Sequence, residues 1–195
     1  GARLGASSLH VLFPPPEQAA ELGSRGLMLR STVQFHWENP GCGDFDAYLA
    51  GMNHDKRKKI KQERRRVREA GITFRWLSGR DAEEADWDFF TWCYNRTYRQ
   101  HHSTPYLNRA FFRHLATHMP DMVLLVVGSP SGKPVSAALN VHNHTVLYGR
   151  YWGSAEFHSG LHFETCYYQA IEFCIGRGLR PSEGGAQGEH KLARG

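Results

Sequence analysis

The chain has 195 residues and carries 24 Lys and Arg against 19 Asp and Glu, with 41% hydrophobic and 22% charged residues. That length buries a sizeable core as one large domain or two small ones, and the proportions are those of a globular protein. The longest apolar run, Met122–Gly128, falls far short of the roughly 20 residues that cross a bilayer.

The four cysteines, Cys42, Cys93, Cys166 and Cys174, show no CxxC pair. Free thiols in a cytoplasmic protein fit that spacing better than a disulfide or zinc scaffold. No signal peptide is legible, because Pro14-Pro15-Pro16 stops the short apolar run Leu9–Phe13. The chain lacks an initiator Met and stops soon after a dense polar cluster, so we expect an internal piece of a longer protein. The net charge of +5 is concentrated. Residues 56–68 hold nine cations and one acid, which leaves 15 cations against 18 acids elsewhere.

In chain order, Ser8–Phe13 reads as a strand, followed by a short helix from Pro16 to about Gly23 with Pro early and Gly at its end. Gly26–Trp37 places apolar residues in largely period-2 order and predicts a second strand. Phe45, Leu49 and Met52, then Ile60 and Val67, fall on one narrow helical stripe, with Asn53-His54-Asp55 breaking and re-capping the helix before the basic run. Gly71 ends that helix and Ile72–Leu77 is the next strand. Helices are predicted over Glu83–Gln100 and Asn108–Met119.

The clearest β segment follows. Met122–Gly128, Pro134–His142 and Val146–Trp152 form a meander joined by turns at Pro130–Lys133 and Asn143-His144. An amphipathic helix, Leu161–Gly178, packs on this sheet, and a last strand begins near Arg180, its first residues weakened by Pro181. The whole is an α+β pattern.

Several stretches resemble those of FemAB-like predicted N-acyltransferases, bacterial proteins of the peptidoglycan biosynthesis/recognition group, whose fold is that of the acyl-CoA N-acyltransferases (GNAT-like). They are Gln34–Trp37, the basic helix Lys56–Gly71, Pro105–Asn108, Leu147–Gly153, Leu161–Glu164 with Tyr167–Gln169, and Gly185–Lys191. The resemblance implies a mixed, mostly antiparallel sheet flanked by helices. It also implies two tandem GNAT-like halves. Residues 1–75 would be the C-terminal part of a first half, including the basic helix, and residues 76–195 most of a second, truncated at its C-terminus. Pro181-Ser182 departs from the apolar strand entry expected before the Gly-rich stretch.

The expected activity is transfer of an acyl or aminoacyl group from a carrier, acyl-CoA or aminoacyl-tRNA, to an amine, in cell-wall peptide biosynthesis. The alternative is a non-catalytic module that recognises a cell-wall precursor or a nucleotide-bearing ligand. N-acyl transfer needs a base for the amine, donors for the developing oxyanion and a groove for the carrier. Glu189, His190 and Glu164 are the candidate catalytic residues. Gln187, Lys191, Tyr148, Arg150, Trp152 and His162 are the candidate substrate contacts.

Strand alternation sends Glu189 and His190 to opposite faces, so one of them meets the substrate. The same alternation puts Tyr148, Arg150 and Trp152 on one face, as a binding wall. Each has a plainer reading: a surface Glu–Lys pair, a half-exposed sheet face, and for Glu164 a complement to the helix dipole. The glycine-rich GNAT phosphate signature is absent. His114 and His118 are spaced like metal ligands but lack a third partner, so no metal is expected. The basic run Lys56–Arg68 is either a solvated helix or a contact for a polyanion through its phosphates.

Overall fold

The computed structural model describes residues 5, 7–31, 36–179 and 181–183. It divides into two compact units, Gly1–Val33 and Gln34–Gly195. In the first unit Pro16–Ser24 forms α1, with Pro at the first helical turn as predicted. The expected strand over Ser8–Phe13 does not form. That segment is irregular, its large apolar side chains are exposed, and no strand pairs with it among the described residues.

The second unit is built on a six-stranded sheet in the order β1-β6-β5-β4-β3-β2. Its strands are β1 (His36–Glu38), β2 (Ile72–Leu77), β3 (Val123–Pro130), β4 (Ser136–His142), β5 (Leu147–Ser154) and β6 (Pro181–Glu183). Residues 36–77 thus supply both edge strands. The long strand expected over Gly26–Trp37 is restricted, within the described residues, to the three residues of β1. Every neighbouring pair is antiparallel except β5 and β6, which run parallel and pair at Leu147↔Ser182 and Tyr148↔Glu183.

The helices cover both faces. On one face lie α4 (Glu84–Gln100) and α5 (Arg109–His118). Trp87, Phe90, Tyr94 and Phe112 pack there against Leu77, Leu125, Val127 and Leu139. On the other face lie α2 (Phe45–Ala50), α3 (His54–Glu69) and a helical rod that begins at Leu161. Phe45, Leu49, Ile60, Tyr168, Ile171 and Cys174 there cover Leu124, Val126, Ala138 and Leu147. Because β side chains alternate, neighbouring residues of β3 and β4 serve opposite cores. The architecture is a GNAT-like α+β fold.

Local signals explain the helix bounds. Asn53 accepts from Lys56 N at 2.9 Å and caps α3, so the predicted break and re-capping both occur. Asn108 does the same for α5 through Phe111 N. The rod after β5 is not the uniform α-helix expected. It consists of α6 (Leu161–Phe163), a π turn (Glu164–Tyr168) and α7 (Gln169–Arg177). One extra residue in the turn rotates the helix face, so Glu164, Thr165, Tyr168 and Gln169 are all buried.

Candidate functional site

The candidate side chains on β5 do not form the single wall that alternation predicts. The β4–β5 register slips between Leu139 and Asn140: Leu139 faces Tyr151, Asn140 faces Gly149, and Arg150 has no partner in that ladder. This is a β-bulge, and it reverses the sidedness of the strand beyond it. Tyr148 pairs with Val141, whereas Trp152 pairs with Ala138 on the opposite face. The shared face predicted for Tyr148, Arg150 and Trp152 is thus corrected by one inserted residue. Arg150 is exposed and its guanidinium lies 5.2 Å from the centre of the Tyr148 ring.

Trp152 instead meets His162 of α6. Their rings stack with centroids 4.3 Å apart and an interplanar angle of 30°. His162 also lies edge-on to Tyr167, at 5.7 Å. Two residues predicted from separate elements are therefore brought into one aromatic patch at the start of the rod. The loop leading into it is held from both flanks: Arg96 donates to the Ala155 carbonyl at 2.6 Å and Arg66 to Ser159 Oγ at 3.4 Å. Gly160 closes the loop at φ +88°, with Glu63 backbone 3.1 Å from where a Cβ would stand, so only glycine fits without strain.

Glu164 is 3% exposed, and its carboxylate is turned onto α3. Arg64 Nε donates to both of its oxygens at 3.1 Å, and Gln169 Nε2 donates to Oε1 at 2.8 Å. Arg64 also reaches Glu172 at 2.7 Å and lies over the Phe45 ring. Gln169 in turn accepts from Trp76 Nε1 at 2.8 Å. Burial works against the Arg64 charge, but Glu164 and Glu172 outweigh it and hold the guanidinium above its ordinary pKa. Sequence reasoning missed Arg64, Gln169 and Trp76 as members of this network. The π turn that aims Glu164 and Gln169 inward has no compositional cue.

The rest of α3 is basic and open. With α2 and Glu172 it lines a groove of about 890 Å³. Ile60 and Val67, each 1% exposed, form the narrow apolar stripe that seats the helix. Burial pushes the Cys93 thiol up to about 12 and that of Cys166 higher still, which disfavours the thiolate at both. No group of three or more His, Cys, Asp or Glu suited to a metal occurs among the described residues. Gln187, Glu189, His190 and Lys191 lie outside the described residues.

The family model described as FemAB-like, peptidoglycan biosynthesis/recognition, matches residues 1–195. Among solved structures, the chain is similar to the C-terminal domain (DUF2156) of an inferred lysylphosphatidylglycerol synthetase from Agrobacterium fabrum. The TM-score is 0.62 at 12% identity, over 88% of this chain and 52% of that one. A conserved protein of unknown function from Bacteroides thetaiotaomicron gives a TM-score of 0.57 at 15% identity, over 92% of this chain and 62% of that one. The chain thus spans less than two thirds of either structure, and at these identities the likeness is one of fold. No curated protein matches the chain.

Proposed function

The chain belongs to the FemAB-like family, and from that premise we propose that it moves an acyl or aminoacyl group from a carrier to an amine. The observation that carries this reading is the bulge at Arg150, beside the point where β5 pairs with its parallel neighbour β6. A residue left out of the ladder pairing can turn its main-chain N–H toward another acceptor, and the oxyanion that forms when an amine attacks a carbonyl is such an acceptor. The fold of the lysylphosphatidylglycerol synthetase domain gives coarse support for aminoacyl transfer.

In this reading Glu189 or His190 takes the proton of the attacking amine, and Gln187 with Lys191 orients the carbonyl and carrier. Arg150, backed by Tyr148, meets an anionic group of the acceptor on one side of β5. The Trp152–His162 stack offers a flat apolar surface on the other. Glu164 acts as a positioning residue, holding the π turn through Arg64. The carrier is an acyl-CoA or an aminoacyl-tRNA.

The test is donor turnover by the full-length protein with a panel of acyl-CoAs and aminoacyl-tRNAs. Replacing both Glu189 and His190 by alanine is expected to abolish transfer while leaving the fold intact. Wild-type turnover in the double variant contradicts the site, and donor binding without any turnover by the wild type favours the binding module.

A further inference from the structure

The groove between α2 and α3 lies apart from the Trp152–His162 patch, and the transfer reaction proposed above does not use it. One wall is a single helical face. Lys58, Lys61, Arg65 and Arg68 follow one another at steps of three, four and three residues, so their Cα atoms stand about 4.5, 6 and 4.5 Å apart along the axis. All four are exposed. Among the described residues Lys58, Lys61 and Arg68 form no ion pair, and Arg65 has a loose one, to Glu69 at 3.5 Å. The other wall carries Asp44 and Asp46, neither of which is ion-paired to these cations among the described residues. Asp44 uses one oxygen to cap α2, accepting from Ala47 N at 2.7 Å.

Four like charges on one face repel one another weakly, and an anion shared among them relieves that repulsion. Two arginines among them favour phosphate, which a guanidinium grips through two parallel hydrogen bonds. The size of the groove selects further. Its volume of about 890 Å³ is that of a small-ligand site. A lipid surface presents its phosphates over a plane, whereas these cations line a groove faced by Asp44 and Asp46, and the apolar residues of α3, Ile60 and Val67, are both buried and do not insert. A protein partner would require an apolar centre, and Phe45 and Leu49 in the groove are 7% and 3% exposed. The carboxylates on the facing wall repel phosphate but accept hydrogen bonds from hydroxyl groups, as an acidic residue does at a nucleotide ribose.

We propose that the α2–α3 groove binds a nucleoside oligophosphate, its linked phosphates along Lys58, Lys61, Arg65 and Arg68 and its sugar hydroxyls against Asp46 and the free oxygen of Asp44. Arg64 and Glu172 lie in the same groove, and Arg64 holds Glu164, so the ligand sits one contact from the π turn.

The test is calorimetric titration of the full chain at near-physiological salt with orthophosphate, inorganic triphosphate, adenosine triphosphate and a 20-nucleotide RNA of mixed sequence. Inorganic triphosphate should bind at least about tenfold more tightly than orthophosphate, since two or more cations engage it at once. Adenosine triphosphate should bind more tightly still. The double substitution K61A/R65A should weaken both by about tenfold or more, whereas K61R/R65K should retain them. Asp46→Ala should remove the advantage of the nucleoside over inorganic triphosphate. Equal, weak binding of orthophosphate and triphosphate, insensitive to K61A/R65A, overturns the proposal. So does binding of the RNA alone, which would make the groove a nucleic-acid contact. The readout is independent of acyl transfer.

Discussion

Arg64 and Glu164 meet across 100 residues of sequence, with Arg64 Nε 3.1 Å from each carboxylate oxygen. Glu164 has 4% of its side chain exposed and Arg64 21%, so the pair is largely desolvated. Removing Glu164 leaves Arg64 with Glu172 as its remaining carboxylate and Gln169 Nε2 without its acceptor, which costs about 2 kcal/mol. Glu164→Ala is therefore expected to lower the urea midpoint strongly, and Glu164→Gln less, because the amide still accepts from Arg64. A Glu164→Ala protein as stable as the wild type, but inactive, would instead make Glu164 a catalytic group.

The Trp152–His162 stack leads to a different expectation. Both rings are only partly buried, so His162→Ala should cost about 1 kcal/mol or less of stability. If the stack receives the donor or acceptor, the same substitution raises KM several-fold with little change in kcat. A KM at the wild-type value, measured with a turned-over donor, would remove the patch from the site.

Gly153 lies where α4 crosses β5. A Cβ at that position would come within 2.5 Å of the Cys93 carbonyl oxygen and 2.8 Å of Thr97 Oγ1. Thr97 Oγ1 also donates to the Trp152 carbonyl at 3.0 Å. Gly153→Ala must push the helix off the strand, and we expect a loss of about 1–3 kcal/mol by chemical denaturation. An unchanged midpoint would mean that the helix yields at no cost.

Burial raises the Cys93 thiol from 9.0 to about 12. Below pH 9 this thiol is protonated whether the chain is folded or not. Above pH 9 the unfolded chain releases the proton while the folded one keeps it, so stability contributed by this group declines progressively from pH 9 to about 12. Cys93→Ala should flatten that decline. At pH 8 the native protein should label slowly with a thiol reagent at Cys93 and faster at the partly exposed Cys42. Equal labelling rates would contradict the buried packing.

The meander, the α3 cap at Asn53 and the helices over Glu84–Gln100 and Arg109–His118 were legible because period-2 patterns and capping residues act within a few positions. The bulge at Arg150 left one sign, a glycine at 149 inside a strand, which also fits close backbone approach. The π turn left none, and without it Glu164 reads as a first-turn acid at a helix dipole rather than the partner of Arg64. Ser8–Phe13 shows the opposite failure. Its composition suits a strand, but a strand forms only where another can pair with it. The parallel β5–β6 pairing likewise depends on the long connection through the rod, not on the residues of either strand.

The most direct measurement is the mass of an amine acceptor after incubation with the full-length protein and a set of acyl-CoA and aminoacyl-tRNA donors. We expect an acceptor heavier by one acyl or aminoacyl group, formed by the wild type and absent with the Glu189→Ala/His190→Ala protein. An unmodified acceptor with every donor would exclude acyl transfer, and equal modification by the double variant would exclude Glu189 and His190 from the site.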